Sequence, residues 1–508
     1  MYYPLTVRDF IDRAETVYPD RVAVVDEPDQ PAPSLGSLTY GELAANARAQ
    51  AARLDELGVP RGGRVAVISQ NSARLLTSFF GVSGWGRILV PVNFRLSLGE
   101  IQYILGHCGA DVVYLDPELT DKLRDLDVKH TFVIGDDDQL FRPDTEPEEW
   151  TEPDEGATAT INYTSGTTAR PKGVQLTHRA LWLNATVFGL HLGVNDRDVY
   201  LHTLPMFHAN GWGMPFVVTG MGAQHIVLRK VDGAEILRRI EKYGVTLLCA
   251  APAVVSAALE AAADWDGPIP GRDQVRVVVA GAPPPTRTVE RVIEELGWQF
   301  NQIYGLTETS PVVTVNRMRA EWDDQPVSEQ AKRLGRAGAP ALGVRVSIDE
   351  HGEVLTSSNH NLEGYWEQPD ETARVQEGNT FRTGDGGYLE DGYLTISDRK
   401  KDVIISGGEN VSSIEVEDTL MSHESVREVA VIGIPDERWG ELVTALVVLA
   451  ESEVSAENLI AHCRQHLAGY KCPKRIDFVD SLPRTATGKL QKFKLREPFW
   501  QGHDRQVN

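Results

Sequence analysis

The chain has 508 residues, of which 42% are hydrophobic and 24% are charged, a composition typical of soluble globular proteins. Its length predicts two or three domains, because a single hydrophobic core rarely extends over so many residues. The 50 Lys and Arg against 73 Asp and Glu give a formal net charge of −23. This balance argues against bulk nucleic-acid binding and against electrostatic docking on anionic lipid, although a local cluster of cations can still bind an anionic substrate.

Cysteine usage and hydropathy indicate a cytoplasmic protein. The four cysteines are scattered without C-x-x-C spacing, which is typical of a reducing compartment and of a chain without a structural zinc site. The uncharged run 201–228 contains histidines, Asn210, Gln224 and two prolines, so we expect a buried polar-lined segment and no transmembrane helix. The N-terminus lacks a charged region followed by an apolar run, and no signal peptide is expected.

Apolar runs that alternate with helix-like segments predict an α/β architecture with doubly wound, mostly parallel sheets. The runs are nearly continuous, as in sheets covered on both faces. Predicted strands cover 64–69, 111–115, 131–134, 157–162, 199–204, 223–228, 245–250 and 275–280. Thr177 and Asp232 are predicted helix N-caps, and Pro252 is predicted at an early helical position. Functional sites in such folds lie at the carboxyl ends of the strands.

The pattern of the chain changes near residue 400. The polar connector 137–156 is expected to be a solvated loop. Around and after residue 400, strands are predicted at 388–397, 402–406, 428–434, 442–449 and 475–479. Helices are predicted at 413–421 and 456–467, and a basic tail follows them. The last hundred residues are enough for a small α+β domain, so we predict a large domain over 1–400 and a small domain over 401–508.

Residues 163–174 form the most informative motif, Tyr-Thr-Ser-Gly-Thr-Thr-Ala-Arg-Pro-Lys-Gly-Val, between a predicted strand and a helix predicted from Thr177. Small hydroxyl residues and glycines let backbone N–H groups and hydroxyls surround phosphate oxygens, and Lys172 supplies charge. Pro171 and Gly173 flank the lysine, so this is not a Walker A sequence. The alternative is a flexible Ser/Thr/Gly loop. The motif resembles the phosphate loop of the adenylate-forming superfamily, which comprises acyl-CoA synthetases, peptide-synthetase adenylation domains and luciferases.

The resemblance implies a nucleotide-binding role for most of this loop. The implied residues are Thr164, Ser165, Gly166, Thr167, Thr168 and Lys172. Ala169 stands where many relatives have glycine. Its methyl group disfavours positive φ, so we expect altered loop mobility without loss of activity.

A second motif, Tyr-Gly-Leu-Thr-Glu-Thr, covers 304–309. Tyr304 can stack on a purine, Gly305 permits close approach, and Glu308 offers a hard oxygen ligand to Mg²⁺. The alternative is a capped turn before a helix. The motif is similar to the Tyr-Gly-x-Thr-Glu motif of the superfamily, which implies nucleotide contacts for Tyr304 and Gly305, a Mg²⁺-ligand role for Glu308 and a catalytic contact of Thr307 with the α-phosphate.

Two further segments are predicted near the substrate acid and the adenine. The run 204–212 places His208 and an indole beside small residues; a core histidine is the alternative, whereas the resemblance implies a catalytic histidine in the carboxylate pocket. Gly281, Ala282 and Pro283 follow a predicted strand and resemble the segment that lies against adenine. The candidate acyl pocket comprises His208, Asn210, Gly211, Trp212, Gly281 and Gly305. Their mixture of aromatic and very small side chains favours a medium-chain, long-chain, aromatic or bulky apolar acid.

The remaining motifs lie on either side of the predicted domain boundary. A carboxylate can accept two hydrogen bonds from a ribose diol, and Asp385 with Arg399 resembles the ribose-binding pair of the superfamily. Lys401 falls on the hinge position, so the resemblance makes the small domain mobile. The turn Ser406, Gly407 and Gly408 resembles the loop that faces the pantetheine of CoA.

Lys489 lies in the basic segment 483–492, for which a frayed tail is the alternative reading. It falls on the catalytic lysine of the superfamily, and a mobile ammonium can neutralise charge between the carboxylate and the α-phosphate.

The motifs follow the order of the superfamily over nearly the whole chain. They imply an AMP-forming acyl-CoA synthetase that uses ATP and Mg²⁺, with a small-molecule carboxylic acid and CoA as substrates. Two alternatives stay open: delivery of the acyl group to a carrier protein or another nucleophile, and a catalytically silent nucleotide-binding module. We consider an acyl carrier protein and a homodimer as partners, and expect no nucleic acid.

Overall fold

The computed structural model describes residues 2–123, 126–135, 139–142, 144–164, 170–399, 402–407, 409–436, 438–450, 454–484 and 490–501. Its helices are α1 (Arg8–Val17), α2 (Tyr40–Glu56), α3 (Ala73–Gly81), α4 (Leu98–Cys108), α5 (His178–Leu192), α6 (Met214–Met221), α7 (Gly233–Tyr243), α8 (Pro252–Ala263), α9 (Thr286–Arg291), α10 (Val327–Leu334), α11 (Pro369–Val375), α12 (Ser413–Met421), α13 (Ala456–His466) and α14 (Lys492–Trp500).

The strands are β1 (Val22–Val25), β2 (Ser37–Thr39), β3 (Arg64–Ile68), β4 (Ile88–Val92), β5 (Val112–Leu115), β6 (His130–Val133), β7 (Thr158–Thr164), β8 (Lys172–Thr177), β9 (Val199–His202), β10 (Gln224–Val227), β11 (Leu247–Ala250), β12 (Arg276–Val279), β13 (Gln299–Gly305), β14 (Val312–Asn316), β15 (Ala339–Pro340), β16 (Arg345–Ile348), β17 (Glu353–Ser357), β18 (Gly364–Tyr365), β19 (Gln376–Glu377), β20 (Thr380–Glu390), β21 (Tyr393–Arg399), β22 (Ile404–Ser406), β23 (Glu409–Val411), β24 (Val426–Asp436), β25 (Gly440–Leu449) and β26 (Arg475–Phe478).

Two large sheets form the N-terminal part of the fold. One has the order β15-β14-β13-β12-β11-β9-β10-β1-β2, and the other has the order β18-β8-β7-β4-β3-β5-β6. Pairing is parallel from β13 to β1 in the first sheet and from β7 to β6 in the second. Antiparallel strands form both edges of the first sheet and the β18 edge of the second. The predicted α/β architecture with mostly parallel sheets is therefore confirmed.

Local signals place several elements as the sequence predicts. The side chain of Thr177 accepts a hydrogen bond from the amide of Ala180 at the start of α5, and Asp232 does the same for Glu235 at the start of α7. Pro252 is the first residue of α8. The uncharged run 201–228 forms the end of β9, a short turn, α6 and β10, and is largely buried. Among the described residues, no helix has the length and hydropathy of a bilayer-spanning helix.

Two sequence predictions are wrong in detail, and one strand was not predicted. The strand that was not predicted is β8, which begins at the end of the phosphate motif, pairs antiparallel with β7 and precedes α5. The strand predicted at 388–397 is a hairpin, since Asp391 (φ 51°) and Gly392 (φ 79°) reverse the chain between β20 and β21. The connector 137–156 is not simply solvated, because Leu140 and Phe141 are buried in the main core.

The third sheet is antiparallel and joins β16, β17, β19, β20 and β21. A fourth sheet, which contains β22 to β26, packs with α12 and α13 around its own apolar cluster. This is the smaller C-terminal domain. The basic tail predicted at its end contains α14, whose residues contact β24. The boundary at 400/401 stays a prediction, because Lys400 and Lys401 lie outside the described residues.

Candidate active site

The motif 304–309 lies at the carboxyl end of β13, where the strand meets the third sheet. A Cβ atom added to Gly305 would lie 1.7 Å from the carbonyl oxygen of Pro311, so only glycine allows this approach of β13 to β14. The hydroxyl of Tyr304 donates to Asp385 Oδ2 at 2.8 Å. Asp385 pairs with Arg399 across β20 and β21. The structure thus brings Tyr304, Gly305, Asp385 and the backbone of Arg399 together, as predicted for an adenosine site.

Glu308 is held by a segment that the sequence analysis did not single out. The hydroxyl of Tyr365 donates to Glu308 Oε1 at 2.9 Å, and the amide of Leu362 donates to the Glu308 carbonyl oxygen at 2.7 Å. Burial, together with the adjacent Glu308 carboxylate, raises the pKa of the Tyr365 hydroxyl. The hydroxyl therefore stays protonated at neutral pH and acts as a donor. Thr307 and Thr309 are buried in the same turn.

Lys172 begins β8, directly across the hairpin from Thr164. Its Nζ forms an ion pair with Glu371 and lies 4.9 Å from the centre of the Tyr365 ring. This ion pair lowers the pKa of Glu371. Thr164 and Lys172 therefore flank the predicted phosphate loop. Its central residues, Ser165, Gly166, Thr167, Thr168 and Ala169, lie outside the described residues.

His208 precedes an unusual left-handed turn. Five consecutive residues have positive φ angles: Ala209 (45°), Asn210 (54°), Gly211 (56°), Trp212 (61°) and Gly213 (83°). Left-handed geometry costs roughly 1–2 kcal/mol for each non-glycine residue, so neighbouring contacts must stabilise the turn. Trp212 is 6% exposed and belongs to the main core.

Asn210 stabilises this turn from inside the protein, and its predicted place in the acyl pocket stays a prediction. Its side chain is fully buried, accepts a hydrogen bond from Asn162 Nδ2 at 3.0 Å and donates to Thr160 Oγ1 at 3.0 Å. Asn184 donates to the Trp212 carbonyl oxygen and accepts from the amide of Val312 at 3.1 Å. Asn184 thereby links the turn to β14, the strand that follows the Glu308 motif.

The remaining predicted residues of the large domain follow β12. Gly281 has φ +97°, a conformation that side chains rarely adopt, and nothing lies within 4 Å of a Cβ built on it. Ala282 is half-buried and Pro283 is exposed. The backbone at this strand end is accessible, as the adenine-binding prediction requires.

In the small domain, Ser406 is buried at the end of β22, and the amide of Gly407 donates to the Trp439 carbonyl oxygen at 2.7 Å. Gly407 has φ +64°. Three predicted residues, Lys401, Gly408 and Lys489, lie outside the described residues.

Lys489 lies outside the described residues, but Arg484 and Leu490 form a β-bridge, and the amide of Gln491 donates a hydrogen bond to the Pro483 carbonyl oxygen at 2.9 Å. The next charged residue, Lys492, forms an ion pair with Glu417 at 2.7 Å. Burial by itself lowers the pKa of Lys492, but the nearby carboxylates of Glu417 and Asp398 raise it above its ordinary value.

The two domains also contact each other through Asp418 of α12. Its carboxylate accepts hydrogen bonds from the amide (2.8 Å) and the hydroxyl (3.1 Å) of Thr286, the first residue of α9. Asp398 on β21 accepts from the amide of Ser413 at 2.8 Å at the start of α12. Sequence periodicity carries no signal for such contacts.

Tyr365, which holds Glu308, also carried little signal in the sequence. The signal was an aromatic pair, Tyr365–Trp366, outside any periodic element.

The site suits Mg²⁺ delivered with a nucleotide. Across the described ranges, no group of three or more His, Cys, Asp or Glu residues is arranged to hold a metal ion by itself. Mg²⁺ bound with ATP needs only one or two protein carboxylates, because phosphate oxygens and water complete its octahedron. Glu308 presents a hydrogen-bonded carboxylate at a strand end next to the phosphate-loop lysine, and it fits this role.

Comparisons with known proteins agree with this arrangement. The AMP-binding enzyme family model matches residues 11–366, and the AMP-binding enzyme C-terminal domain model matches residues 415–489. The chain is 36% identical to 4-hydroxybutyrate–CoA ligase 2 of Metallosphaera sedula (97% of this chain, 94% of the relative) and 35% identical to 2-methylpropanoate–CoA ligase CCL4 of Humulus lupulus (97% and 95%).

Solved structures give the same picture. The anthranilate CoA ligase AuaEII in complex with anthranoyl-AMP superposes with a TM-score of 0.87 at 27% identity, covering 98% of each chain. The amide bond synthetase McbA from Marinactinospora thermotolerans superposes with a TM-score of 0.84 at 28% identity, covering 97% of this chain and all of the other. The chain therefore belongs to the AMP-binding enzymes, in the acyl-CoA synthetase branch of the adenylate-forming superfamily, and is an AMP-forming acid–thiol ligase that uses ATP, Mg²⁺ and CoA.

Proposed function

We propose that the protein activates a monocarboxylic acid with ATP and transfers the acyl group to CoA. The observation that carries the proposal is the convergence of the Tyr304–Asp385 pair, Glu308 and Lys172 on one end of the two large sheets. In the first step, a carboxylate oxygen attacks the α-phosphorus of ATP, and pyrophosphate leaves as acyl-AMP forms. In the second step, the CoA sulfur attacks the acyl carbonyl carbon, the thiol proton is lost, and AMP leaves.

The first step needs positioning and charge neutralisation more than covalent help from the protein. Asp385 and Tyr304 orient the adenosine, and Lys172 with the loop hydroxyls holds the phosphates. Glu308 holds Mg²⁺, which supplies charge neutralisation at the phosphates when bound. Thr307 contacts the α-phosphate, His208 lines the carboxylate pocket, and Lys489 stabilises the charge that develops between acid and phosphate.

The second step requires a different arrangement of the small domain. Rotation about Lys401 removes Lys489 and brings the turn Ser406–Gly408 to the acyl-AMP, so that the CoA thiol reaches the carbonyl. Acyl-AMP is a mixed anhydride that water hydrolyses, so a closed site limits the loss of the intermediate.

The acid is proposed from the pocket and from the relatives together. The sequence suggested medium-chain, long-chain, aromatic or bulky apolar acids. Two relatives are named for four-carbon acids and one structural neighbour for an aromatic acid. We therefore rank four-carbon and single-ring aromatic acids first, with longer apolar acids next.

A different acceptor is the second candidate function. The similarity to an amide bond synthetase favours it, because the same acyl-AMP can be attacked by an amine. A carrier-protein pantetheine arm is a third acceptor of the same intermediate. Consumption of free CoA distinguishes the first proposal from both.

The test is pyrophosphate release against a panel of acids: 4-hydroxybutyrate, 2-methylpropanoate, hexanoate, palmitate, benzoate and anthranilate. Each acid is run with CoA, with a holo-carrier protein, with an amine and with no acceptor, and products are detected by mass. Acid-dependent release with acyl-CoA formation supports the proposal. Release with acyl-AMP accumulation and untouched CoA favours another acceptor, and silence across the panel contradicts the proposed activity.

Two variants separate the steps. Lys489→Ala is expected to lower acyl-AMP formation by about 10²–10³-fold, as for loss of one charge-stabilising donor, and to leave thiolysis of supplied acyl-AMP intact. Lys401→Pro is expected to do the reverse, because it restricts the hinge. Normal acyl-AMP formation by Lys489→Ala contradicts the assignment of the lysine.

A further inference from the structure

Tyr365 lies in β18, a two-residue strand that extends the seven-stranded sheet beside β8. Gly364 pairs with Gln175 and Tyr365 pairs with Val174, and the amide of Trp366 donates to the Gly173 carbonyl oxygen at 2.7 Å. These hydrogen bonds fix Tyr365 next to the strand that begins with Lys172. The position of Tyr365 is therefore set by backbone pairing and not by a mobile loop.

The side chain of Tyr365 contacts two groups that the proposed function assigns to MgATP. Its hydroxyl donates to Glu308 Oε1 at 2.9 Å, and its ring centre lies 4.9 Å from Lys172 Nζ. Tyr365 is only 7% exposed, so water competes little for either contact.

We infer that Tyr365 is a positioning residue that holds the Glu308 carboxylate and the Lys172 ammonium in one arrangement around the triphosphate of MgATP. The inference rests on the proposed function, since it takes Glu308 as the Mg²⁺ ligand and Lys172 as a phosphate contact. It separates the roles of the two parts of the side chain: the hydroxyl acts on the metal-binding carboxylate, and the ring acts on the phosphate-binding lysine.

The physical basis is restriction of rotamers before the nucleotide arrives. A glutamate side chain has three rotatable bonds, and a charged hydrogen bond from a buried donor selects one orientation of its carboxylate. A lysine ammonium over an aromatic face is likewise attracted and restricted. Both side chains therefore lose less conformational entropy when MgATP binds, and this raises the affinity for MgATP.

The experiment is calorimetric titration of the full chain, without acid, using MgATP and using ATP in EDTA. Tyr365→Phe removes the hydroxyl and keeps the ring, so affinity for MgATP is expected to fall about tenfold while affinity for metal-free ATP stays the same. Tyr365→Leu removes both contacts, so affinity is expected to fall for both forms of ATP.

A matched control is Tyr114→Phe. Tyr114 is a fully buried tyrosine on β5 of the same sheet, and its hydroxyl has no hydrogen-bond partner among the described residues. This variant removes a buried hydroxyl away from the site, and both affinities are expected to match those of the native protein. Thermal unfolding of every variant tests whether a loss of binding reflects a loss of folded protein.

A second measurement uses Glu308→Gln as background. If Tyr365 acts through Glu308, the hydroxyl deletion adds less than about twofold to the effect of Glu308→Gln, because residues in contact are not additive. Full additivity overturns the inference, and so does unchanged MgATP affinity in Tyr365→Phe. Failure of the native protein to bind MgATP overturns the proposed function itself, so the two failures are distinguishable.

Discussion

Replacement of Asn210 by alanine tests whether this residue supports the fold or lines the acyl pocket. In the structure its side chain is fully buried and joins Thr160 and Asn162 of β7 to the left-handed turn that follows His208. In the variant, the side-chain nitrogen Nδ2 of Asn162 keeps only a long contact of 3.4 Å to the Phe207 carbonyl oxygen. The hydroxyl oxygen of Thr160 loses the hydrogen bond that it accepts from Asn210 Nδ2.

The expected loss of stability follows from these contacts. The Thr160 hydroxyl still donates to Asn162 Oδ1 at 2.9 Å, and Asn162 Nδ2 keeps its long contact, so each of the two lost hydrogen bonds costs up to about 1.5 kcal/mol. Alanine at φ 54° adds about 1 kcal/mol for left-handed backbone that asparagine tolerates better. The sum is up to about 4 kcal/mol for two hydrogen bonds at about 1.5 kcal/mol each and the backbone term. With about 2.1 cal/mol/K of unfolding entropy per residue over roughly 400 residues, this corresponds to a Tm lowered by about 5 °C.

The assay pairs thermal unfolding with the acid panel. We expect a lower Tm and a lower fraction of active enzyme, with the ratio of rates among the acids unchanged. Gly211→Ala, in the same turn and also at positive φ, is the matched control for strain without loss of side-chain hydrogen bonds. An unchanged Tm with an altered ranking of the acids would refute the interpretation that Asn210 stabilises the turn, and would indicate that Asn210 contacts the acid.

Three further predictions concern charge. Glu371→Ala releases Lys172 from a partly exposed ion pair, so KM for ATP is expected to fall by up to about fivefold with kcat unchanged; a higher KM would mean that Glu371 orients the lysine. Asp418→Ala removes a hydrogen-bond acceptor that the small domain provides for Thr286, so limited proteolysis between the two domains is expected to be about fivefold faster, and an unchanged rate would contradict a stabilising contact. Burial lowers the pKa values of His178 and His225 to about 3 and that of His360 to about 4. The same histidines in the unfolded chain take up protons near pH 6.5, whereas in the folded protein they stay neutral. The free energy of unfolding is therefore highest above pH 6.5 and falls as the pH is lowered towards 3, by up to about 1.4 kcal/mol per pH unit for each histidine. Urea midpoints that do not change between pH 7 and pH 5 would contradict this.

Short-range patterns accounted for most of the elements and for the order of the motifs. Apolar runs located β3, β9 and β12 within one or two residues, and Thr177 and Asp232 cap helices as predicted, because strand burial and cap hydrogen bonds involve neighbours in the chain. The hairpin inside 388–397 carried a readable signal as well, since Asp391–Gly392 is a strong two-residue turn sequence. The motifs themselves were sufficient to indicate the superfamily.

Contacts between distant segments were decided by the tertiary structure alone. The pairing of β18 with β8 brings Tyr365 onto Glu308 and Lys172, and the left-handed turn directs the Asn210 side chain to Thr160 and Asn162 on β7. Neither follows from composition or periodicity, because a local pattern records which residues are apolar and how they repeat, but not which strand edges meet. That choice depends on the packing of the whole sheet and on burial of every polar group with a partner.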